Sequence, residues 1–501
     1  MAPAKAEKKT AAKAAAPKTA AAEQISSAGH WIDGKEVPSA TGQTMPVINP
    51  ATGRAMAQAA RGGPEDADRA VQAAEQALQG PWSKFSPRQR ARALFEVARL
   101  IRANIEPLAL LESRNAGKPI GEARGEVEAA AGCFEYYAGA VSKFFGETIP
   151  VGAAGLDFTL KEPVGVCALI VPWNYPLVIA SWKLAPALAC ANAVVLKPAE
   201  ATPLTALFLA KLCAEAGIPE GVVNVVTGFG PEAGEPLVKH PLVRKISFTG
   251  STAVGKRLMA LAAPGLKRVS LELGGKSPSL IFADADLDRC AQDAAGAVFS
   301  NAGQDCCARS RALVQEKVYE RFVEKVAACA KKLRVGDPQD PKTEMGPLIS
   351  KKQKERVLGY VAAGTEEGAD LVCGGDAPDL GGGFFVTPAV FAAVEPRMRV
   401  FKEEIFGPVL CATPFKTEDE AVALANGTEY GLSGSIWTRD VGRAIRLSRR
   451  VQSGVLSVNS SSSVHIEAPF GGYKSSGVGR ELGMKALELY SEVKNVFISD
   501  R

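Results

Sequence analysis

Between residues 164 and 263 the sequence alternates short apolar runs with helical segments, and this alternation limits the fold more than any other feature. The apolar runs predict strands at 164–171, 193–197, 222–226 and 244–248. The segments that follow them predict helices at 177–191, 203–216, 231–239 and 252–263. Strands and helices that alternate at these lengths form βαβ units around a parallel sheet. The sequence therefore predicts an α/β fold.

A second alternation, from Leu280 to about Ile436, predicts a second α/β domain. Its helices are expected at 286–302, 316–333 and 350–368. Further helices are predicted upstream of the first sheet, at 64–79, 86–116 and 122–145. The segment 492–498 has the pattern of a strand, and a lone terminal strand must pair with something, such as a neighbouring subunit.

The net charge of +5 is concentrated at the N-terminus. Residues 1–22 hold five lysines and one glutamate, so the rest of the chain is nearly neutral. A neutral body argues against a nucleic-acid-binding surface. The Ala/Lys-rich composition predicts a disordered tail over 1–28, and no apolar core of a signal peptide is found there. We therefore expect the ordered protein to begin near Trp31, where Asp33-Gly34 has the pattern of a hairpin turn.

Two further compositional features concern the membrane and the cellular compartment. The uncharged stretch 163–182 is long enough to cross a bilayer, but two prolines and Asn174 interrupt it, so we predict strand, loop and helix with no membrane span. The ten cysteines form no CxxC pair, and the chain has only three histidines. This pattern predicts no metal site and a reduced, cytoplasmic protein.

Cys306 is the candidate nucleophile. Gly303 and Gln304 precede it and permit a tight turn that exposes the thiol. Arg309 and Arg311 follow, and their charges would favour the thiolate. The alternative is a buried structural cysteine, which is the usual role of this residue type.

Glu272 is the candidate general base. It lies between leucines and just before the pair Gly274-Gly275. Burial there would raise the pKa of its carboxyl and suit it to accept a proton near neutral pH. The alternative is a carboxylate at a strand end that pairs with Lys276 or Arg268.

Asn174 belongs to the run Pro172-Trp173-Asn174, which follows the first predicted strand of the parallel sheet. The carboxyl ends of parallel strands are where α/β sheets bind ligands. An amide N–H at that edge can donate to a developing oxyanion. The alternative is a rigid turn in which Asn174 caps the next helix.

Three further strand ends are candidates for phosphate or ribose binding. Gly250 and Ser251 begin a helix whose N-terminus could hold a pyrophosphate, and Gly228-Phe229-Gly230 ends another strand in the same way. Neither run is a GxGxxG motif. Lys197 and Glu200 follow a third strand, and a carboxylate there would bind a ribose 2′-hydroxyl and repel a 2′-phosphate.

In this order and spacing, these runs resemble the NAD(P)-dependent aldehyde dehydrogenase superfamily, in its hydrolytic, non-acylating type. The resemblance covers about residues 30 to 500. Its motifs are Pro172-Trp173-Asn174, the Glu272 run, the Cys306 run, Glu403-Glu404-Ile405-Phe406-Gly407-Pro408 and Pro469-Phe470-Gly471-Gly472. It implies a Rossmann-like NAD-binding domain (29–144 and 163–274), a catalytic domain (275–475) and a small β oligomerisation element (145–162 and 488–500).

The resemblance also implies a role for each matching residue. Cys306 would attack the aldehyde to form a thiohemiacetal and then a thioester, Asn174 and the Cys306 N–H would hold the oxyanion, and Glu272 would activate the hydrolytic water. Lys183 and Glu481 match a proton path. NAD rather than NADP is expected because of Glu200. The matching cofactor contacts are Pro172, Trp173, Lys197, Glu200, Gly230, Gly250, Ser251, Glu404 and Phe406.

The substrate is an aldehyde whose class stays open at this level. The resemblance places Tyr175, Trp182 and Phe470 around a tunnel, and Asp305 adds a carboxylate beside the nucleophile. Aromatic faces attract cations, so these residues suggest an ω-aminoaldehyde of the aminoaldehyde or betaine-aldehyde branch. An apolar tunnel for aliphatic aldehydes is equally compatible.

Some features of this sequence bear on the alternatives. Ser300 departs from the tryptophan that betaine-aldehyde-type relatives often carry, and Val464 is smaller than the aromatic residue of some relatives. An NADP-preferring semialdehyde dehydrogenase would want cations in the tunnel, where Asp305 has the opposite sign. A structural relative without catalysis would have lost Cys306, Glu272 or Asn174, and all are present. The resemblance further implies a homodimer or homotetramer.

Overall fold

A computed structural model describes residues 26–500, and its largest sheet contains the first predicted alternation. Its five central strands are parallel. Across the sheet the eight strands are Gly477–Val478, Arg268–Glu272, Val243–Thr249, Val166–Ile170, Ala193–Lys197, Val223–Val225, His30–Ile32 and Lys35–Val37. The strand order reverses beside Val166–Ile170, which makes the sheet doubly wound. The α/β prediction is confirmed.

Helices cover both faces of this sheet, and every residue of the strands Val166–Ile170 and Ala193–Lys197 is buried. Burial on both faces explains why these strands are continuous apolar runs. The helices are Pro64–Gln79, Pro87–Ala103, Ile105–Ala116, Ile120–Ala140, Pro176–Ala189, Leu204–Glu215, Glu235–Lys239 and Thr252–Ala262. Within residues 26–500, no helix combines the length and apolar character needed to span a bilayer.

One predicted helix, 86–116, is wrong as a single element. Asn104 interrupts it with a φ of −115° and ψ of 26°, and its side-chain amide donates to the carbonyl of Leu100 at 2.9 Å. Asparagine competes for backbone hydrogen bonds in this way and so favours helix ends. The break allows the chain to turn and pack both halves against Ile120–Ala140.

The second sheet holds the second alternation and has six parallel strands with one antiparallel edge strand. Across the sheet they are Asp370–Cys373, Ala389–Ala392, Val409–Phe415, Arg311–Gln315, Pro278–Ile281, Ser433–Trp437 and Val455–Val458. The helices of this half are Leu287–Phe299, Tyr319–Lys332, Lys351–Glu366, Arg399–Lys402, Glu418–Asn426 and Val441–Arg450, whereas Lys485–Glu488 packs against Pro176–Ala189 of the first half.

A small third sheet contains the terminal strand, which spans Ser491–Ser499. It pairs antiparallel with Gly155–Pro163 over nine residue pairs, and Thr148–Ile149 lies on the other side of that strand. One edge of the terminal strand therefore pairs within the same chain, and the strand is the outermost of this sheet. Val493, Phe497 and Ile498 remain large exposed apolar residues on it.

The start of the described chain differs from the predicted tail in one respect. Ser26–Ala28, placed in the disordered tail 1–28, form a strand parallel to Arg54–Ala60, which also pairs with Thr44–Asn49. Residues 1–25 of that prediction lie outside the described residues. The predicted hairpin is confirmed. Asp33 and Gly34 both have positive φ, as the two central residues of a type I′ turn require.

Candidate active site

The carboxyl ends of three neighbouring strands bring the predicted catalytic segments to one edge of the first sheet. Asn174 follows Val166–Ile170, Ser251 follows Val243–Thr249, and Glu272 is the last residue of Arg268–Glu272. The first two strands flank the point where the strand order reverses. A crevice opens at such a point because the helices that follow leave toward opposite faces.

The candidate nucleophile lies on a turn with an unusual backbone. After the helix Leu287–Phe299, three consecutive residues adopt positive φ: Asn301 at 49°, Ala302 at 53° and Gly303 at 71°. A Cβ on Gly303 would lie 2.1 Å from the carbonyl oxygen of Gly407, so only glycine fits. The predicted tight turn is present, and Cys306 is half-buried after it. The helix predicted to 302 ends at 299 for this reason.

Asn174 is fixed to this turn rather than to the following helix. Its amide Nδ2 donates to the carbonyl of Gln304 at 3.0 Å, and Asn301 Nδ2 donates to the Asn174 carbonyl at 2.9 Å. The helix Pro176–Ala189 begins after Tyr175 without any side-chain cap, so the capping alternative is wrong. A primary amide has two N–H donors, so one remains for a carbonyl oxygen at Cys306.

Glu272 is buried, and within residues 26–500 neither of its carboxyl oxygens has a hydrogen-bond partner. The alternative pairing is wrong, because Arg268 pairs with Glu492 and Lys276 Nζ has no partner in the same range. Burial, and then the nearby carboxylate of Glu481, raise the pKa of Glu272 well above its ordinary value. A carboxyl of this kind is suited to take a proton from water.

Two glycines allow the catalytic segments to approach one another. A Cβ on Gly275 would lie 2.4 Å from the carbonyl oxygen of Cys306, and one on Gly274 would lie 2.4 Å from Glu404 Oε2. The backbone N–H of Gly275 donates to Glu404 Oε1 at 2.9 Å. The double glycine after Glu272 therefore serves close packing of Cys306 and Glu404.

The Cys306 thiol is not activated by the arginines that follow it. The adjacent Cys307 thiol and then burial raise its pKa well above the ordinary value. Arg309 donates to the Cys307 carbonyl and to Ser463 Oγ, and Arg311 donates to three backbone carbonyls. The predicted electrostatic activation is therefore wrong, because both guanidinium groups bind backbone carbonyls or Ser463 instead of the thiol.

The predicted cofactor groups lie at the carboxyl edge of the first sheet and beside it. Lys197 ends its strand, and burial lowers the pKa of its amine to about 8. Its Nζ lies 3.9 Å from Glu200, whose side chain is half-exposed. From the second half of the chain, Phe406 places its ring edge-on to Trp173, with centroids 5.1 Å apart.

The loop and helix starts near these groups have the features that a dinucleotide needs. Ser251 precedes the helix Thr252–Ala262 and its Oγ accepts from the N–H of Val254 at 3.5 Å, so the first backbone N–H groups face the crevice edge. Gly230 begins a helical turn, and a Cβ on Gly234 would lie 3.6 Å from the Lys197 side chain. A helix N-terminus, a buried amine and a carboxylate fit a dinucleotide.

The predicted tunnel residues are brought together in part. The rings of Trp182 and Phe470 pack with centroids 5.3 Å apart. Tyr175 was expected to offer the face of its ring to a cationic substrate. In the structure, Lys118 Nζ lies over that ring, 4.0 Å from its centroid. One face of that ring is already used by an internal cation. Asp305 uses Oδ1 to accept from the Cys307 backbone N–H at 2.8 Å, and burial raises the pKa of its carboxyl.

Several residues at the site had no recognisable signal in the sequence. Lys118 is one such residue. It is far from the motifs along the chain, and its carboxylate partner Glu126 lies eight residues later, within the helix Ile120–Ala140. Glu122 is another, and it accepts from Ser300 Oγ at 3.1 Å. Asn301 is the exception, since asparagine adopts positive φ more readily than most residues and could have been recognised.

The predicted proton-path residues touch. Lys183 Nζ donates to Glu481 Oε1 and lies 3.1 Å from Ser247 Oγ, and all three side chains are buried. The carboxylate of Glu481 is also close enough to Glu272 to raise its pKa. The contact is therefore observed, while its role in moving protons is a matter of function.

Comparison with known proteins assigns the site to a family. The aldehyde dehydrogenase family model matches residues 37–496. The chain belongs to the aldehyde dehydrogenase family. Mitochondrial aldehyde dehydrogenase of Homo sapiens is 47% identical over 461 residues, which cover 91% of this chain and 89% of the human protein. Betaine aldehyde dehydrogenase of Mesorhizobium japonicum is 43% identical over 475 residues, covering 94% and 97%.

Solved structures agree with this assignment. The NAD⁺ complex of an aldehyde dehydrogenase from Bacillus cereus has a TM-score of 0.93 with this aldehyde dehydrogenase, at 43% identity over 95% of this chain and 97% of that one. The NAD-dependent aldehyde dehydrogenase of Sinorhizobium meliloti has a TM-score of 0.94 at 44% identity, covering 95% of each chain. The resemblance found in the sequence is confirmed.

Proposed function

We propose that this aldehyde dehydrogenase oxidises an aldehyde to the carboxylic acid with NAD and water. The observation that carries the proposal is a buried, partnerless Glu272 at the same edge as Cys306 and the fixed amide of Asn174. The NAD complex of the Bacillus cereus relative supports the choice of cofactor, as does the half-exposed Glu200 beside Lys197. A 2′-phosphate would meet the negative charge of Glu200.

The first half of the reaction forms a bond between Cys306 and the substrate. The Cys306 thiol gives up its proton to solvent water, and the sulfur adds to the aldehyde carbon to give a thiohemiacetal. The free N–H of Asn174 and the backbone N–H of Cys306 hold the oxyanion. NAD, when bound, supplies the hydride acceptor that turns this adduct into a thioester.

The second half hydrolyses the thioester. Glu272 takes a proton from water, and the hydroxide attacks the acyl carbon and releases the carboxylate. The raised pKa of Glu272 lets it hold that proton near neutral pH. Lys183 and Glu481 form the buried ion pair next to it and are proposed to move the proton away.

Asn174→Ala tests the oxyanion role. Loss of one donor is expected to lower kcat by about 10²–10³-fold, because the negative oxygen of the adduct loses a preorganised partner. KM should change less, since the neutral carbonyl binds weakly to the same amide. Steady-state kinetics with one aldehyde measure both values. A variant with kcat within threefold of wild type would remove Asn174 from the mechanism.

The assembly, domain roles and compartment are part of the same proposal. Residues 29–144 and 163–274 bind NAD, 275–475 carry the nucleophile, and 145–162 with 488–500 form the contact of a homodimer or homotetramer. Exposed Val493, Phe497 and Ile498 support the last role, since apolar surface of this kind favours association. Ten free cysteines support a reducing compartment, the cytoplasm.

An ω-aminoaldehyde is the proposed substrate class. Asp305 places a carboxylate next to the nucleophile, and Trp182 and Phe470 offer aromatic surface near it. The betaine aldehyde dehydrogenase of Mesorhizobium japonicum, at 43% identity, supports a cationic substrate. An unbranched aliphatic aldehyde is the second candidate. It is favoured by Lys118, which covers one face of Tyr175, and by the raised pKa of Asp305, which reduces its charge.

A comparison of 4-aminobutanal with hexanal separates these candidates. For the cationic substrate, Asp305→Asn is expected to lower kcat/KM about tenfold, a loss of about 1.4 kcal/mol of attraction. Hexanal should be unaffected within a factor of two, because asparagine keeps an oxygen for the Cys307 N–H. If wild type prefers hexanal by a large factor, or the variant treats both substrates alike, the aminoaldehyde proposal is wrong.

A further inference from the structure

One face of the first sheet carries a row of polar side chains that leads from the catalytic edge into the protein. Ser247 and Ser270 are register partners on adjacent parallel strands. Glu272 lies two positions beyond Ser270, and Lys245 lies two positions before Ser247. Side chains two residues apart on a strand point to the same face of the sheet, so all four side chains share one face. All four are buried.

A continuous hydrogen-bonded chain runs along this row. Lys245 Nζ donates to Ser270 Oγ at 2.6 Å, and Ser270 Oγ donates to Ser247 Oγ at 3.2 Å. Ser247 Oγ then donates to Glu481 Oε1 at 3.2 Å and accepts from Lys183 Nζ at 3.1 Å. A hydroxyl has one donor and two acceptor positions, so Ser247 can link Ser270 and Lys183 to Glu481; the Tyr490 hydroxyl is a further hydrogen-bond partner of Ser247.

At the catalytic end, the chain meets two carboxylates with unused oxygens. Within residues 26–500, Glu481 Oε2 and both oxygens of Glu272 are buried without a partner. The carboxylate of Glu481 disfavours the ionisation of Glu272 and, after burial, raises its pKa. Within the same residues the two carboxylates are not hydrogen-bonded to each other, so a proton needs a bridging water to pass from Glu272 to Glu481.

At the far end, Lys245 is an amine that can accept a proton. Burial lowers its pKa to about 7, and the charges of Lys183 and Arg268 act in the same direction. Cys167 and Glu481 oppose them, and the ring of Tyr490 lies 5.5 Å from Nζ. These are the titratable groups that face Lys245 from the neighbouring strands, the helix Pro176–Ala189 and the C-terminal segment. Its hydrogen-bond acceptor is a hydroxyl, not a carboxylate.

We propose that Lys245 receives, through the two serine hydroxyls, the proton that Glu272 removes from the hydrolytic water. The inference rests on the proposed function and extends its proton path. Glu481 passes its proton to Ser247, Ser247 passes its own to Ser270, and Ser270 passes its own to the neutral amine. Each hydroxyl loses one proton and gains one, and the amine becomes an ammonium. The observed bond directions are those after this transfer.

The relay returns its proton before the next cycle. When the product leaves and water enters the site, the ammonium gives the proton back along the same hydroxyls to Glu481, and the entering water carries it out to solvent, which leaves Glu272 ionised for the next cycle. The relay therefore keeps the proton away from the thioester during hydrolysis. After each cycle the two serines and Lys245 are back in their starting protonation states. Above the pKa of Lys245 the amine is free to accept, and below it the relay is already full.

Ser247→Ala breaks the chain without removing a charge. The enzyme is acylated with 4-nitrophenyl acetate in the absence of NAD, so that the burst of nitrophenol reports acylation of Cys306 and the steady rate reports hydrolysis. We expect hydrolysis about tenfold slower at pH 8, below the 10²–10⁴-fold effect of a directly acting base. The difference should vanish below pH 6, where Lys245 is protonated in both enzymes.

Ser435→Ala is the matched control, because Ser435 donates to Ser279 in a buried hydroxyl pair of the second sheet. It should hydrolyse the acyl-enzyme at the wild-type rate at every pH. Ser247→Thr keeps a hydroxyl and should recover most of the rate. Lys245→Met should reproduce the pH-dependent loss, and the double variant with Ser247→Ala should be no slower than either single variant, since both act on one chain.

The outcomes separate the relay from the reaction that it serves. The relay is overturned if Ser247→Ala hydrolyses the acyl-enzyme at the wild-type rate, or if its rate is lowered by the same factor at every pH. In either case, a wild-type enzyme that shows the burst and the hydrolysis leaves the proposed function intact. Additive losses in the double variant also overturn it. A wild-type enzyme with no burst overturns both proposals.

Discussion

Cys306→Ser is expected to lower the rate of aldehyde oxidation by about 10⁴-fold or more, the scale of losing a nucleophile from a preorganised site. A serine hydroxyl is a far weaker acid than a thiol, and the surroundings of Cys306 already disfavour an anion. The neighbouring Cys307 thiol and burial raise the pKa of the native thiol. They would act on an alkoxide in the same direction, so the serine would stay protonated and could not act as the nucleophile.

The measurement is NADH formation in a single turnover with excess enzyme, which detects even slow chemistry. Cys307→Ser is the matched control, because Cys307 is the adjacent thiol and its backbone N–H, not its sulfur, binds Asp305. It should retain the burst of NADH. Binding of NAD should survive in both variants, since no cofactor group is altered. Near wild-type turnover in Cys306→Ser, or loss of the burst only in Cys307→Ser, would contradict the assignment of the nucleophile.

Local patterns along the chain predicted the parallel sheet well. The strand at 193–197 has the predicted bounds, and the strand at 243–249 exceeds its predicted bounds by one residue at each end. Ala193–Lys197 is buried on both faces, so its apolar run carries a strong signal, whereas the strand at 243–249 alternates polar and apolar residues. The helix over 86–116 was less certain for a physical reason: one asparagine whose side chain competes for backbone bonds ends a helix without changing its periodicity.

The candidate site was predictable at the level of motifs but not of contacts. Cys306, Asn174 and Glu272 were identified because their neighbours are unusual residues. The direction in which Arg309 and Arg311 point was not predictable, since it depends on carbonyls distant in sequence. Contacts of this kind depend on how elements pack, which residue order alone does not determine.

The buried relay illustrates the same limit more sharply. Ser247 and Ser270 are ordinary serines in apolar strands, and nothing nearby in sequence marks them. Their hydroxyls meet because the two parallel strands pair in one register, in which Ser247 faces Ser270. A shift of one residue would turn Ser270 to the opposite face of the sheet. The signal that could have identified them is the polar–apolar alternation in both strands, once their pairing is known.

Glu272→Gln is expected to stop the reaction after the thioester has formed. Glutamine matches glutamate in size but cannot accept a proton from water, so hydrolysis should slow by about 10²–10⁴-fold, the contribution of a general base. The first turnover should still release NADH. The expected trace is a burst approaching one NADH per active subunit, followed by a slow steady rate. Mass spectrometry of the quenched protein should find the acyl group on Cys306.

The pH dependence of this variant provides a second criterion. Glu272 acts as a base only when ionised, and its raised pKa means that wild-type hydrolysis should increase with pH at values above the ordinary titration range of a glutamate carboxyl. In the glutamine variant the part of this increase that belongs to Glu272 should be lost. An equal pH dependence in both enzymes would mean that another group removes the proton.

A small nucleophile that needs no base separates a blocked hydrolysis from a damaged site. Hydroxylamine attacks thioesters directly at neutral pH, so it should restore turnover of Glu272→Gln and give a hydroxamate. Gly471→Ala is the matched steric variant, because its Cβ would lie 2.7 Å from Glu272 Oε1 and would displace the carboxylate. It should show the same burst and the same rescue. If hydroxylamine restores neither variant, or if no acyl-enzyme accumulates, Glu272 does not serve as the base of the hydrolytic step.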